Sequence, residues 1–242
     1  MGLIISLVIG RGGSSFKNKN IIKTNGFPLV LWTCGAAKRS KYINEYYCSS
    51  DSEKILNICN QIGYKKIKRP KYLSKANSQS CDSVRHAIKY IEKDLKQTVD
   101  IVVLQHANVG TIKEDMIDKC IKILISNSTA SAVIPCHEKN EYHPARAKTI
   151  DNMGYLRQVV KGNYSGNRQD LSKAYFFDHS FWVIRGCSAK KNYGQPPWNC
   201  MGNKIIPFPT SGCFDVHSKS DILKTETWIK KNRVPVPIKI KS

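Results

Sequence analysis

The fold of this chain is decided near its start by the stretch LIISLVIGRGGSS, which runs from residue 3 to residue 15. The run from Leu3 to Ile9 is apolar except for Ser6, a pattern typical of a strand that is buried on both faces of a sheet. Three glycines follow in the next four positions, where main-chain N–H groups can approach an anion closely. The stretch therefore predicts a buried first strand and a loop suited to phosphate.

Alternating strand and helix patterns continue from this start to the end of the chain. Such alternation predicts an α/β fold: a mostly parallel sheet with helices on both faces, and ligands beyond the carboxyl ends of the strands. The predicted strands are residues 42–48, 65–69, 100–104, 130–135 and 177–184, with a short one at 205–206, and the predicted helices are residues 28–38, 55–62, 80–95, 116–125 and 220–231.

One segment interrupts the alternation. Residues 138–175 are polar and contain Gly154, Gly162 and Gly166. They predict an excursion from the sheet, a hairpin arm inserted in a single domain that spans residues 1–242.

Composition narrows the classes of partner. The 242 residues carry 39 Lys and Arg against 18 Asp and Glu, a formal charge of +21 that favours anionic ligands. The charge is dispersed along the chain, which argues against a nucleic-acid-binding protein. No run is long enough to span a membrane, and the start lacks the basic region and cleavage site of a signal peptide. Nine cysteines without a Cys-x-x-Cys pair indicate reduced thiols, so we predict a cytoplasmic protein without membrane partners.

The first loop carries the clearest chemical signal. Arg11, Lys17 and Lys19 accompany its glycines and can add charge to triphosphate oxygens. The loop lacks the Gly-Lys-Ser/Thr of a Walker A motif and the third glycine of a dinucleotide fingerprint. It therefore indicates phosphate binding of another kind.

Further short motifs occur in order along the chain. They are Arg11-Gly12-Gly13-Ser14 with Lys19-Asn20, Gly26-Phe27-Pro28-Leu29, Ser49-Ser50-Asp51, Arg69-Pro70 with Leu73, Leu104-Gln105, Arg168-Gln169, and Phe214-Asp215-Val216 followed by Asp221 and Glu226. In their order, over about nine-tenths of the chain, these segments resemble those of the CMP-sialic acid synthetase (acylneuraminate cytidylyltransferase) family.

The resemblance implies a Rossmann-like three-layer α/β/α nucleotidyltransferase fold and a homodimer in which the arm reaches a second subunit. It also implies roles for individual residues. Those expected to bind the nucleotide are Arg11, Gly12, Gly13, Ser14, Lys19, Asn20 and Arg69. Asp215 would hold the Mg²⁺ bound to the triphosphate, and Arg11, Lys19 and Asp215 would form the catalytic set.

Other residues are expected at the acceptor. The resemblance implies that Gln105 points at the sugar acid, and Arg168 and Gln169 match a pair in the family's arm. Asp178 stands near a position at which sialic enzymes grip the sugar. His106 follows Gln105 at the predicted ligand edge and is the best-placed histidine for substrate binding.

The chain also departs from the family's pattern. The usual Asp-x-Asp reads Asp215-Val216-His217, and histidine is a poor ligand for Mg²⁺. Ser15 replaces a loop lysine, and His106-Ala107-Asn108-Val109 replaces Pro-Thr-Ser-Pro. At the metal segment, either Asp215 works with phosphates and water or metal use is altered. The replacement of Pro-Thr-Ser-Pro, together with Phe176 and Asp178 near positions where sialic enzymes carry Arg and Asn, points to a different acidic sugar more than to a different reaction.

The expected function is transfer of CMP from CTP to an acidic sugar of the sialic or nonulosonic type. The alternatives are CTP-dependent activation of another acid, such as a Kdo-like sugar or a phosphonate, and a non-catalytic relative that binds a nucleotide sugar.

Overall fold

The computed structural model describes residues 2–13, 16 and 18–237. The described strands are β1 (Leu3–Ile9), β2 (Lys23–Thr24), β3 (Phe27–Pro28), β4 (Glu45–Ser50), β5 (Lys65–Lys68), β6 (Val99–His106), β7 (Ala132–Glu138), β8 (Lys148–Ile150), β9 (Leu156–Gln158), β10 (Tyr175–Phe177), β11 (Phe181–Arg185) and β12 (Ile205–Pro209). The described α-helices are α1 (Leu29–Lys38), α2 (Glu53–Asn60), α3 (Ser80–Leu95), α4 (Met116–Ser126), α5 (Gly186–Ala189) and α6 (Lys219–Lys231).

The central sheet has eight strands and is parallel in the half that contains β1. There β5, β4, β1 and β6 lie side by side in parallel. Beyond β6 the sheet turns antiparallel, because β11 pairs with both β6 and β7 in that sense, and β12 then pairs with β7 in parallel. The predicted α/β fold with a mostly parallel sheet is confirmed.

The three layers follow from alternation along β1. Successive side chains of a strand point to opposite faces. Leu3, Ile5 and Leu7 pack with Val84 of α3. Residue 4 instead joins the core formed with α4 and the end of α1, and residue 8 joins the core formed with α1 and α2. Helices therefore cover both faces of the sheet.

The carboxyl ends of the parallel strands meet at one edge. Ile9 of β1 lies opposite Ser49 of β4 and His106 of β6, and Ser50 lies opposite Lys68 of β5. The loops that begin at Gly10, Asp51, Arg69 and Ala107 therefore open on the same side, where an α/β sheet binds its ligands.

Several predicted elements keep their ends and others change. The strand at Leu3–Ile9 and the helix at Ser80–Leu95 match the sequence prediction at both ends. The strand predicted over residues 177–184 is instead two strands, β10 and β11, with Asp178 to Ser180 between them. Both pair with β7. The register against β7 shifts between them: Phe177 lies opposite Cys136, whereas Val183 lies opposite Val133.

Between β7 and β10 the chain leaves the sheet. Strands β8 and β9 form a separate antiparallel pair there, with Lys148 opposite Gln158 and Ile150 opposite Leu156. Apolar side chains of this hairpin face solvent, since Ile150, Met153 and Leu156 are each at least 67% exposed. No helix in the described part of the chain combines the length and apolarity that crossing a bilayer would need.

Candidate active site

A cleft of about 270 Å³ lies at the carboxyl edge of the parallel strands. Five of the residues singled out in the sequence line it together: Arg11, Lys19, Asn20, Arg69 and His106. They come from three segments: the loop after β1, the residue after β5 and the end of β6. The parallel arrangement of β1, β4, β5 and β6 therefore brings them together.

The glycine-rich loop keeps its backbone close to β4 and β6. At Gly10 a Cβ atom would lie 2.7 Å from the Cβ of Ala107, too close for any other residue without a shift. The N–H of Gly12 donates to Oδ1 of Asp51 at 2.9 Å. A Cβ at Gly13 would meet nothing within 4 Å, so packing does not require that glycine. Ser14, which the sequence also placed here, lies outside the described residues.

The side chains of Asn20 and Arg11 make two further hydrogen bonds at this loop. The buried side chain of Asn20 donates through Nδ2 to the carbonyl of Arg11 at 2.9 Å. Nη1 of Arg11 in turn donates to the carbonyl of Lys75 at 2.6 Å, across the cleft from the loop. The Arg11 guanidinium is thus held at the cleft wall with donors to spare for an anion.

Lys19 lies within this group of charges. Burial lowers the pKa of its ammonium, the Asp215 carboxylate raises it, and the Arg11 guanidinium lowers it. Its Nζ is 3.4 Å from Nδ1 of His217. Because Lys19 is partly buried and lies beside another cation, an anionic ligand bound there would stabilise its charge strongly.

Arg69 is buried and held against β4. Its Nη2 donates to the carbonyl of Ser49 at 2.8 Å, and its Nε donates to the Ser49 hydroxyl at 3.3 Å. Burial lowers the pKa of the guanidinium, and Asp51 raises it in part. The group stays charged, because arginine is not deprotonated in proteins. Arg69 is therefore a fixed positive charge in the wall of the cleft.

Asp215 reaches the site from the far end of the chain. One carboxylate oxygen accepts from Nδ2 of Asn108, a cleft residue, and the other lies 3.1 Å from Nε2 of His217. The backbone keeps this pairing in place, since the N–H of Val216 donates to the carbonyl of Asn108 at 3.1 Å. Asp215 is thereby positioned beside Lys19.

His106 forms the boundary between the cleft and an aromatic cluster. Its ring packs edge-on against Trp182 and His179, with centroids 4.8 and 5.6 Å away. Its Nδ1 is buried and has no hydrogen-bond partner among the described residues. Burial, with a smaller effect of the neighbouring His179, lowers the pKa of the imidazole to about 3, so the ring is neutral near pH 7. A neutral ring with a vacant polar atom is suited to hydrogen bonding a ligand.

Gln105 lies in the core and not on the cleft. Its Nε2 donates to the carbonyl of Thr33 at 2.6 Å and to the Thr33 hydroxyl at 3.0 Å, and its Oε1 accepts from the Ser6 hydroxyl at 2.7 Å. The side chain is fully buried. This placement corrects the expectation that Gln105 points at the substrate, because its amide is already satisfied by α1 and β1.

Asp178 is likewise used inside the protein. Its Oδ1 pairs with Nδ1 of His137 at 2.6 Å, its Oδ2 accepts from the Thr210 hydroxyl, and the residue is 2% exposed. It borders a separate cavity of about 230 Å³ beside β12. Asp178 does not line the substrate cleft, and both of its oxygens have partners, so direct binding of the substrate by Asp178 stays a prediction.

Arg168 and Gln169 lie on the arm. Both are exposed and form a single 3₁₀ turn, Arg168–Asp170, that does not line the cleft in one protomer. Within the described residues the structure therefore separates this pair from the other predicted site residues.

Some cleft residues carry no signal that the sequence reading used. Asn108 binds Asp215, and Ser80 and Ser83 of α3 line the wall near Arg69. Asn108 is the first polar residue after His106, just beyond the end of β6, and that position could have indicated it. The two serines occupy the first turn of a helix, a common place for serine without any ligand.

The residues at the cleft offer little to a metal by themselves. In the described part of the chain, no group of three or more His, Cys, Asp or Glu side chains could hold an ion. Mg²⁺ usually takes one or two carboxylates and completes its shell with water and substrate phosphates. Asp215 fits that minimal donor set, whereas the nitrogen of His217 does not.

Comparisons with known proteins agree on one family. The model of the cytidylyltransferase family matches residues 5–181. A pseudaminic acid cytidylyltransferase of Campylobacter jejuni is 27% identical over 180 residues, which cover 74% of this chain and 76% of the relative. A protein of Campylobacter coli called post-translational flagellin modification protein B is 26% identical and covers 97% of this chain and 98% of its own length.

One further relative and one solved structure are also similar to this chain. An N-acylneuraminate cytidylyltransferase of Streptococcus agalactiae is 25% identical over 74% of this chain and 42% of its own length. The structure of CMP:2-keto-3-deoxy-manno-octonic acid synthetase in complex with CTP superimposes with a TM-score of 0.70 at 12% identity, over 95% of this chain and 99% of that one. At that identity the superposition shows the fold alone.

Proposed function

The chain belongs to the cytidylyltransferase family, and we propose that it transfers CMP from CTP to an acidic sugar of the nonulosonic type with release of pyrophosphate. The observation that carries the proposal is the cationic cleft beyond the first strand, in which Arg11, Lys19 and Arg69 surround a glycine-rich loop. The names of several relatives refer to sugar acids of this type.

The triphosphate is assigned to the loop after β1. Main-chain N–H groups of the loop, the Arg11 guanidinium and the Lys19 ammonium would neutralise the phosphate oxygens. Charge on the departing pyrophosphate increases as the bond to the α-phosphate breaks, so preorganised cations lower the barrier. The lowered pKa of Lys19 would return towards its ordinary value once phosphate binds beside it.

The nucleoside is assigned to the wall formed by β5 and α3. Arg69 is fixed by Ser49, and Ser80 and Ser83 offer hydroxyl groups on the opposite side of the same cleft. Fixed donors and acceptors on both walls suit a polar base and ribose.

Asp215 is assigned to the metal that accompanies the triphosphate. Its carboxylate would exchange a hydrogen bond from Asn108 or His217 for a bond to the ion. Bound there, Mg²⁺ would neutralise part of the pyrophosphate charge. His217 would stay in place as a hydrogen-bond donor that orients the carboxylate.

The acceptor acid is assigned to the side of the cleft that His106 borders. Strand β6 lies between the phosphate loop of β1 and the antiparallel strand β11, so His106 stands where an attacking hydroxyl could approach the α-phosphate. The unpartnered Nδ1 would bind a polar group of the acceptor. Gln105 and Asp178 would act at a distance, by fixing strand β6, which carries His106, and the segment between β10 and β11, which contains His179.

The arm is assigned to a homodimer. The exposed apolar side chains of its hairpin, Ile150, Met153 and Leu156, would be covered by a second copy of the chain. Arg168 and Gln169 would then be presented to the partner's acceptor site. All nine cysteines are free thiols, which suits a cytoplasmic location.

The test is pyrophosphate release by purified protein with Mg²⁺, each of the four nucleoside triphosphates, and a panel of acidic acceptors. The panel contains nonulosonic acids, a Kdo-like sugar and a phosphonate. Release that requires CTP and a nonulosonic acid is expected. Release only with the Kdo-like sugar or the phosphonate would reassign the acceptor. CTP binding without turnover of any acceptor would favour a non-catalytic relative, and failure to bind CTP would overturn the proposal.

A further inference from the structure

Two buried cysteines meet outside the substrate cleft. Cys81 lies in the first turn of α3, and Cys200 lies in a 3₁₀ turn at Asn199–Met201. Their Sγ atoms are 2.7 Å apart, although 119 positions separate the residues along the chain. Even carbon atoms in contact keep about 3.5–4.0 Å between them, and sulfur is larger than carbon. The two sulfur atoms are therefore already close to bonding distance.

We propose that Cys81 and Cys200 form a modification site, at which a peroxide oxidises the two thiols to an intramolecular disulfide. Neither residue lines the cleft, so the site is independent of the proposed transfer reaction. The surroundings of the pair determine how the reaction would run.

The two thiols are not equivalent. The contact with the Cys200 thiol lowers the pKa of the Cys81 thiol, and the nearby Arg85 guanidinium lowers it as well. The same contact raises the pKa of Cys200. The backbone N–H of Cys200 also donates to Sγ of Cys81 at 3.4 Å. Cys81 is therefore the thiol of the pair that ionises more readily, and thiolates are the species that attack peroxides.

The reaction balances with hydrogen peroxide as the only oxidant. The Cys81 thiolate attacks one peroxide oxygen and the O–O bond breaks, which gives a sulfenic acid and, after proton uptake, water. The Cys200 sulfur then attacks the Cys81 sulfur, and the hydroxyl group leaves as a second water with the Cys200 proton. Two thiols are oxidised by two electrons, and one peroxide is reduced to two waters.

The position of the pair gives the disulfide a structural consequence. Helix α3 carries Ser80 and Ser83, which line the cleft. Trp198, two residues before Cys200, packs against His179 and Trp182, with ring centroids 5.1 and 5.5 Å away. A covalent bond would join the cleft wall at α3 to the aromatic cluster behind His106 and would close a long loop of the unfolded chain.

The remaining cysteines supply internal controls. Cys34 and Cys59 are also buried and adjacent, but their Sγ atoms are 3.8 Å apart, and the pKa of Cys59 is raised above that of an ordinary thiol. Cys187 is exposed and reports oxidation at the surface. Distance and thiolate character together thus distinguish the Cys81–Cys200 pair from the pair at Cys34 and Cys59.

The experiment treats the full-length protein with graded hydrogen peroxide, alkylates the remaining thiols and maps tryptic peptides by mass spectrometry. Peptide 76–85 contains Cys81, peptide 192–204 contains Cys200, and peptides 24–38 and 55–65 contain Cys34 and Cys59. We expect a linked species of 76–85 with 192–204, reversed by dithiothreitol, before any link between 24–38 and 55–65. The melting temperature of the oxidised protein should rise by about 5–10 °C.

Three variants complete the test. Cys81→Ser and Cys200→Ser should each abolish the linked species and the rise in melting temperature, whereas Cys187→Ser should leave both unchanged. Wild-type protein that stays unlinked at peroxide concentrations that fully oxidise Cys187 would overturn the proposal. A link from Cys81 to any other cysteine would overturn it as well. The peptide map of the oxidised wild-type protein decides the question by itself, even if one of the variants fails to fold.

Discussion

The two sides of the cleft are built in different ways. On the proposed nucleotide side, Arg11, Lys19 and Arg69 line the cavity beyond the ends of parallel strands. On the proposed acceptor side, where β11 runs antiparallel to β6, the polar groups of Gln105 and Asp178 are bound to internal partners. His106 lines the cleft, and its buried Nδ1 has no partner among the described residues. Under this assignment, selectivity for the acceptor would depend on few groups and phosphate binding on many.

The largest expected effect is that of removing the carboxylate of Asp215. Asp215→Ala should lower kcat by about 100-fold or more, because charge stabilisation of the leaving pyrophosphate is lost. Steady-state pyrophosphate release measures this. The matched control is Glu53→Ala, which removes an exposed carboxylate paired only with Lys68. A kcat of Asp215→Ala within a few-fold of wild type would remove Asp215 from the catalytic set.

A substitution at Gln105 distinguishes a structural role of this residue from a role in substrate binding. Gln105→Leu should lower the free energy of unfolding by about 2–3 kcal/mol, because the hydroxyls of Ser6 and Thr33 lose buried partners. The KM for the acceptor should change less than about twofold, which corresponds to about 0.4 kcal/mol, because the buried Gln105 does not line the cleft. Denaturant titration and acceptor kinetics on the same sample decide between the roles. An acceptor KM that rises without loss of stability would return Gln105 to the substrate.

Lys19 tests the nucleotide side. Lys19→Met should lower kcat/KM for CTP by about 10- to 50-fold, because one charge-assisted contact to phosphate is lost from a partly buried site. Lys23→Met, which removes an exposed lysine four positions further on, is the control and should leave kcat/KM unchanged. Equal effects of the two substitutions would mean that only the overall charge of the region matters.

His106 tests the acceptor side. His106→Phe keeps the ring packed against Trp182 and removes both nitrogens, so the KM for the acceptor should rise by about 10-fold while the KM for CTP stays constant. His106→Asn places a polar atom near the position of Nδ1 and should recover part of the loss, whereas His106→Gln, which mimics Nε2, should not. A rise in the KM for CTP instead would move His106 to the nucleotide side.

The smallest expected effect is a pH dependence of stability. His106 has a folded pKa of about 3 against an ordinary value of 6.5, so the unfolded chain binds the proton more readily. Its contribution to stability is therefore complete above about pH 6.5 and is lost as the pH falls towards 3. Between about pH 7 and pH 5.5 the loss should be about 1 kcal/mol. Denaturant melts should show a shallower pH dependence for His106→Phe. Identical slopes would mean that His106 protonates readily in the folded state.

Much of the nucleotide side could be predicted because its signals are local. A buried strand and a run of glycines are adjacent in the sequence, and Arg69 follows directly after β5, so the end of each strand is also its position at the cleft. The neighbours of Gln105 and Asp178 could not be predicted in the same way. Thr33 lies 72 positions from Gln105, and Thr210 lies 32 positions from Asp178. The sequence shows where a strand ends. The hydrogen-bond partners of its side chains come from distant parts of the chain and cannot be identified in that way.

The sequence by itself determined the α/β class, the first strand and its loop, helix α3, and the family to which the motifs of the chain are similar. These features depend on periodicity and on residues that are close together along the chain. Tertiary structure alone decided that the predicted strand at 177–184 breaks at Asp178, that Asp215 pairs with Asn108, and that Cys81 meets Cys200. The physical reason is that a polar or sulfur atom becomes available or occupied only once packing has chosen its neighbours.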